Sequence, residues 1–442
     1  MNSETSIVAA IDLGSSKIVG ILGTVSSPNQ TEVLGLEKEN SSFAIRRGCV
    51  HNIEESIQKI DQIISRLESR IVLDLKKIDR LYIGLGGQSV HSIRQTVSRS
   101  YGSMEMLTET HLAEIEYEVR QTPFDKYEVF DLIPVEYRID GVLEPKPLGA
   151  ICSKLEVTYT VIIGKGAIKH NIERCMKRMN MGVAGYYVSA LALGKLLLTE
   201  EERQLGCALI DFGAATTTMV CYKRGVLQHM VTIPFGGNNI TKDIMSLNML
   251  EPQAESAKCH HARSFAPEGH ENDIIYIKSA SGNDGLNISQ QELDRITEAR
   301  IEEILDNLLA QIKEAGLKDQ LPCGVIITGG GSQLNGLSDS IQKKFHLQIR
   351  RAGIINKLIN KTAEPVSEPV YHAALALLAM GKESCVEKIP EPEVETEEAP
   401  KPVDTKPKEP NTRKKKEEKK ESGNKFGSLL DLIFGENDKP LQ

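Results

Sequence analysis

VAAIDLGSSKIVGIL (residues 8–22) and CALIDFGAATTTMVCY (residues 207–222) are two versions of one pattern. Each runs an apolar strand into an aspartate, Asp12 or Asp211. An apolar residue, a glycine, two small residues and a polar residue follow, and a second apolar strand leaves. The pattern predicts two hairpins, Ser6–Leu13 with Ile18–Thr24 and Cys207–Asp211 with Thr217–Tyr222. Their turns carry no bulky side chain, so backbone N–H groups can approach phosphate oxygens closely. A carboxylate at the strand end can hold a hydrated magnesium ion, which prefers oxygen ligands and keeps several waters. Lys17 could reach a phosphate as a point charge. One such hairpin alone is more often a plain turn. Two facing each other would clamp a polyphosphate from both sides.

A third element, GVIITGGGSQLNGLSDSIQKKF (residues 324–345), reads as a short buried strand, Gly324–Ile327, running into three glycines and an amphipathic helix. Glycine backbone at a helix start suits a flat base or a phosphate, because nothing protrudes. Around these elements strand and helix signals alternate, which argues an α/β architecture. Helical spacing runs over Ile53–Leu75, Lys165–Met179, Ser189–Leu198 and Ser289–Ala315. Ser289 is placed to cap the last of these, with Glu292 three residues on. Leu155–Ile163 is a β-branched strand, and an almost wholly apolar helix at about Pro369–Met380 should be buried.

The chain has 442 residues, 40% hydrophobic and 26% charged, a soft expectation of about three domains. No apolar run is long enough to span a membrane as a helix. Glu4 and Asp12 interrupt the start, which argues against a secretory signal. The net charge of −8 argues against a nucleic-acid surface. The eight cysteines form no C-x-x-C pair, which suggests reduced thiols. Cys259, His260, His261 and His270 fit no familiar zinc spacing. After about Gly381 the composition turns polar: residues 387–424 hold six of the 18 prolines, an acidic cluster and then a basic one. Such a segment reads as a disordered linker. Beyond it, Phe426, Leu429, Leu430, Ile433 and Phe434 fall on one face of a helix of about 10 residues. That helix is too short to cross a bilayer and suited to lying in its interface, behind lysines drawn to anionic lipid.

The two aspartate turns and the Thr328-Gly-Gly-Gly-Ser332 loop resemble the phosphate and adenosine motifs of the actin, Hsp70 and sugar-kinase superfamily. The resemblance covers about residues 6–382. It implies an α/β, actin-like two-lobed ATPase fold of duplicated RNase H-like cores, closing over ATP and Mg²⁺. IPVEYRIDG (residues 133–141), the Pro147-Leu-Gly149 turn, residues 185–217, IPFGGNNITKDI (residues 233–244) and the terminal helix resemble the FtsA family of bacterial cell-division proteins. The domains implied are a first core (1–80 and 164–206) interrupted by an α+β insert (81–163) that contains a helix over Glu109–Gln121. A second core (207–235 and 321–361) carries a small subdomain (236–320). A helix returning to the first lobe (362–382), a disordered linker (383–424) and a membrane-targeting tail (425–442) complete the chain.

The resemblance assigns phosphate binding to Asp12, Gly14, Ser15, Ser16 and Lys17 on one side and to Asp211, Gly213, Ala214, Ala215 and Thr216 on the other. Asp12 and Asp211 would hold Mg²⁺ through water. Gly329, Gly330, Gly331 and Ser332 would face the adenosine, with Glu255 and Lys258. No Gln, Asp or Glu occurs in Ser189–Thr199, where efficient relatives orient the attacking water, so hydrolysis should be slow. Partners implied are FtsZ, through its C-terminal peptide at 236–320, other copies of the chain in a filament, anionic inner-leaflet lipids and other division proteins. The location implied is the cytoplasmic face of the membrane at the division site. Rival classes are a rod-shape or pilus-assembly protein, and a sugar-kinase-like enzyme for which no catalytic base is visible.

Overall fold

The aliphatic runs at the start of the chain form an antiparallel meander of β1 (Ile7–Leu13), β2 (Lys17–Ser27) and β3 (Gln30–Asn40). The computed structural model describes residues 6–27, 30–71, 76–269, 272–278 and 285–388. A small hairpin, β4 (Ile45–Arg46) and β5 (Cys49–Val50), leads into α1 (Ile53–Glu68). Asn52 caps α1 by accepting from the Glu55 N–H, and Ile60, Ile63, Ile64 and Leu67 form its buried face. The spacing read as far as Leu75 overshoots. The helix ends at Glu68, where Arg70 and Ile71 donate back to Leu67 and Glu68 in tight turns, so Ile71 is buried from a turn.

Next come β6 (Lys76–Ile78), β7 (Arg80–Leu85), β8 (His91–Met106), α2 (Glu109–Gln121), β9 (Tyr127–Ile139), β10 (Val142–Leu143) and β11 (Ile151–Lys165). α3 (Ala167–Arg178), β12 (Gly182–Val188), α4 (Ser189–Leu197) and α5 (Glu200–Leu205) follow. The second half opens with β13 (Cys207–Phe212), β14 (Thr217–Lys223) and β15 (Val226–Ile233). It continues through α6 (Gly237–Ile244), α7 (Glu251–His260), β16 (Ile274–Ile277), β17 (Leu286–Ser289) and α8 (Gln290–Glu314). Ser289 caps α8 as expected, accepting from the Glu292 N–H. β18 (Val325–Thr328), α9 (Leu337–Phe345), β19 (Ile349–Arg351), β20 (Lys357–Asn360), α10 (His372–Ala379) and β21 (Val386–Lys388) close the described chain.

The duplication is visible in the strand order. Five strands of one sheet read β3-β2-β1-β7-β12, with β20 added beyond β3, and the other sheet reads β15-β14-β13-β18-β19. In both, three antiparallel strands are followed by two parallel ones. The register matches as well: Asp12 lies opposite Val19, and Asp211 opposite Thr218, each one residue before its strand ends. The aspartates therefore stand at the carboxyl ends of the strands, where open α/β sheets bind their ligands.

The insert is a four-stranded sheet, β10-β9-β11-β8, with α2 against a core that includes Leu107, Ile115, Val119, Leu155 and Val157. Its start is corrected from the sequence reading. Leu81–Leu85 belongs to β7 of the first core sheet, because a strand buried in a parallel sheet is as apolar as one in the insert. The insert also meets the second core. Thr160 donates to the Leu227 carbonyl (3.0 Å), Ser92 accepts from the Met230 N–H (2.7 Å) and Arg94 donates to the Gln228 carbonyl (3.1 Å). Side chains thus satisfy the edge of β15 in place of another strand.

Two further boundaries move. Residues 357–360, assigned by the sequence reading to the second core, form β20 on the edge of the first sheet beside β3. Residues 383–388, read as the start of the linker, are ordered. Cys385 is buried, its N–H donates to Ile7 (2.7 Å), and β21 pairs with β6. The apolar pair Cys385–Val386 supplies the anchor that a polar linker lacks. α10 packs on β1, β2, β7 and α4, with Ala374–Leu378 buried. No helix among the described residues is long and apolar enough to cross a membrane. Phe426, Leu429, Leu430, Ile433 and Phe434 lie outside the described residues, as does the rest of the linker.

Candidate functional site

The two aspartate turns meet at one cleft of about 440 Å³, within the range of small-molecule sites. Asp12, Gly14, Ser15, Ser16 and Lys17 line it from the first half, and Asp211, Gly213, Ala214 and Thr216 from the second. Glu255, Lys258 and Gly329–Gly331 line it too. Two of the expected residues do not: Ala215 is absent from the lining, and Ser332 is buried, its hydroxyl donating to the Gly329 carbonyl (2.7 Å). Gln333 and Leu334 line the cleft beside it.

Both turns need glycine for the same reason. A Cβ at Gly14 would sit 2.7 Å from the Lys17 carbonyl oxygen, and one at Gly213 would sit 2.7 Å from that of Thr216. The supports differ. Ser41 holds the first turn, its hydroxyl donating to the Gly14 carbonyl (2.6 Å) and its N–H to that of Ser16 (2.9 Å); the Gly48 N–H donates to the Ser15 hydroxyl (2.9 Å). The second turn is held by backbone at the start of α6: the Gly237 N–H donates to Gly213 (3.0 Å) and the Asn238 N–H to Ala214 (2.7 Å). In each case protein donors take the turn's carbonyls. Among the described residues no protein acceptor takes the N–H groups of Ser15, Ser16, Ala214 or Ala215. Such an array of amides is what an anion requires.

The charges are poised for a cation between the turns. Burial pushes the Asp12 carboxyl up to about 7, helped by the neighbouring Asp211 and opposed by Lys17. Burial pushes Asp211 up to about 6. Two carboxylates that resist ionisation together fit a hydrated Mg²⁺, whose charge would relieve both. Burial lowers the pKa of Lys17, and Lys38 lowers it further, against Glu368 and Asp12.

The third loop passes beneath Asp211. Gly329 has φ +82°, and a Cβ there would strike the Asp211 carboxylate and come 2.6 Å from the Phe212 carbonyl. Thr328 is 2.8 Å from His372 Nδ1, and His372 Nε2 is 3.0 Å from the Ser367 carbonyl. A carbonyl can only accept, so Nε2 carries the proton and Nδ1 accepts from Thr328. Burial lowers the pKa of His372, consistent with a neutral ring. This bond ties β18 to α10 at the cleft wall.

Glu255 and Lys258 meet at the cleft rim. Lys258 Nζ donates to Glu255 (2.6 Å), to Thr241 (2.9 Å) and to the Gly237 carbonyl (3.2 Å). Burial would raise the Glu255 pKa, but hydrogen bonds from Lys258 and Thr241 outweigh it and hold the group below its ordinary value. Sequence reasoning missed Gly86, Gly87, Ser189 and Thr232, which also line the cleft. It missed Ser41, Gly48 and Asn238 as turn supports. The Gly236-Gly237 pair was a usable signal; Ser41 carried none.

Two copies of one five-stranded core, closing on a cleft with an aspartate from each, define the actin-like class. Residues 208–376 match the family model described as cell division protein FtsA. The cell division protein FtsA of Porphyromonas gingivalis is 30% identical over 345 residues, covering 78% of this chain and 72% of that protein. Its counterpart in Pseudomonas aeruginosa is 28% identical over 385 residues, covering 85% and 89%. A solved chain of the PilM–PilN type IV pilus biogenesis complex shares the fold, with a TM-score of 0.60 at 15% identity over 84% of this chain and 97% of that one. The chain belongs to the FtsA family of cell division proteins.

Proposed function

We propose that this chain binds ATP with Mg²⁺ between its two cores, polymerises, and anchors FtsZ filaments to the cytoplasmic face of the membrane at the division septum. The observation that carries the nucleotide part is the pair of raised-pKa aspartates at matching positions of two hairpins lining one cleft. Asp12 and Asp211 would hold Mg²⁺ through water, the turn amides and Lys17 the phosphates, and Gly329–Gly331 with Glu255 and Lys258 the nucleoside. The nucleotide acts mainly as a conformational ligand that favours closed cores by differential affinity. Hydrolysis is slow, because α4 offers the cleft Ser189, Ala190 and Leu193 and no acid or amide.

The small subdomain at 236–320 receives the FtsZ C-terminal peptide, and the chain also binds other division proteins. The tail residues Phe426, Leu429, Leu430, Ile433 and Phe434 would enter the anionic inner leaflet. A filament presents many such tails, so attachment strengthens with assembly. Calorimetric titration should show ATP binding that requires Mg²⁺. Co-sedimentation with anionic vesicles should vanish when residues 425–442 are deleted, with ATP affinity unchanged. Vesicle pelleting equal to that of the full chain would overturn the membrane part. Failure to bind the FtsZ peptide would overturn the tether.

A further inference from the structure

We infer that Tyr371 is a positioning residue for phosphate binding, its ring holding the Lys17 ammonium at the cleft wall without neutralising it. This inference rests on the nucleotide-binding reading above. Lys17 Nζ lies 5.5 Å from the centroid of the Tyr371 ring. Among the described residues, Lys17 has no carboxylate at ion-pair distance and its ammonium donates no hydrogen bond to the protein. Glu368 and Asp12 act on it only through space, the ring lies against it, and its three N–H donors remain available.

The ring itself is fixed. Tyr371 is buried, 3% exposed, and ends a 3₁₀ turn, Pro369–Tyr371, that runs straight into α10. Its neighbours Pro369, Val370 and His372 line the cleft. Lys38 occupies the far end, donating to the phenol oxygen (2.8 Å) and to Glu364 (3.4 Å). Lys38 Nζ also lies 5.4 Å from the ring centroid, so the ring faces both ammonium groups, with Lys38 held at the hydroxyl and Lys17 making no hydrogen bond. Lys38 also repels Lys17 from that side.

The chemistry explains why a ring suits this task better than an acid. A carboxylate beside Lys17 would pair with it and compete with the incoming phosphate. An aromatic face attracts the ammonium through its quadrupole but carries no net charge and takes no conventional hydrogen bond. The lysine is held in place with its donors unspent. A phosphate then meets a pre-oriented cation, and less side-chain freedom is lost on binding.

The test is calorimetric titration of ATP, and separately of adenosine, against the full chain and its variants. Tyr371→Phe keeps the ring and should bind ATP within about twofold of wild type. Tyr371→Leu should weaken ATP about tenfold and leave adenosine unchanged. In a Lys17→Met background the Tyr371→Leu change should cost nothing further, because its effect runs through that lysine. A series of progressively fluorinated phenylalanines at position 371 keeps the shape while weakening the ring face. ATP affinity should fall along it, a readout independent of whether Tyr371→Leu folds well. A flat fluorination series, equal loss of adenosine binding, or losses that multiply in the double variant would each overturn the inference. If the wild-type chain binds adenosine but not ATP, or neither, the nucleotide reading fails and takes this inference with it. If wild type binds ATP and the variants behave alike, this inference alone fails.

Discussion

The two halves of the molecule share strand order, register and the glycine after the aspartate, yet their turns are secured by different means. Ser41, reaching across from the end of β3, ties down the first turn with a hydroxyl and an amide. The second turn rests on the backbone N–H groups of Gly237 and Asn238. The first turn carries the cation, Lys17, and the more perturbed acid; the second ends in Ala-Ala-Thr. Burial raises both acids, and each opposes ionisation of the other. The duplicated scaffold supplies geometry, and its asymmetry supplies charge. In the proposed function, one side would grip a phosphate with a cation and the other would offer it backbone amides.

The sharpest way to break the comparison is at Gly236. A Cβ there would stand 2.6 Å from the Gly213 oxygen and 2.7 Å from that of Ala214, in the backbone contact that supports the second turn. Gly236→Val should destabilise the fold by about 3 kcal/mol and abolish ATP binding, read by chemical denaturation and titration. Unchanged ATP affinity would show that the second turn does not depend on the start of α6.

A smaller effect should come from the two acids. A carboxyl raised in the folded state favours folding fully below its ordinary value of 3.8, and that contribution is lost as pH rises through the folded value. The unliganded chain should therefore lose stability from about pH 4 up to pH 6–7, and Mg²⁺ with ATP should restore it. Asp12→Asn and Asp211→Asn should each raise the melting temperature at pH 8 and flatten this slope, because each removes one buried acid and its repulsion of the other, while weakening Mg²⁺-dependent ATP binding. Scanning calorimetry across pH 5–8 decides it. A flat wild-type profile would remove the argument for two strained carboxylates.

The smallest change sharpens the contrast between side-chain and backbone support. Ser41→Ala deletes one buried hydrogen bond to the first turn and keeps the other. It should cost about 1–2 kcal/mol of stability and weaken ATP only a few-fold, by the same two measurements. Truncating a side chain cannot delete the equivalent bonds in the second turn, because main-chain N–H groups make them and only proline would remove one.

Much of this was legible in the sequence because it is local. Strand, aspartate, glycine and small residues sit next to one another, and their repetition after Cys207 announces a second core. The helix at Glu109–Gln121 and the Ser289 cap were readable for the same reason. The borders were harder. Leu81–Leu85, an apolar run, and Lys357–Asn360, two apolar residues between polar ones, are short strands whose sheet is chosen by distant partners, β1 and β3. Ser332 sits in the right loop, but it turns inward to bond Gly329.

From the order of its residues alone, this chain determined its two hairpins, their carboxylates and the lysine beside one of them, because turn chemistry depends on neighbours within a few positions. Folding decided which groups converge. Ser41 beneath Gly14, Tyr371 beside Lys17, His372 on Thr328 and Cys385 against β1 are contacts between residues from 27 to 376 positions apart. They exist only because the burial of two sheets and their covering helices brings those segments together, and no periodicity in a one-dimensional string records that choice.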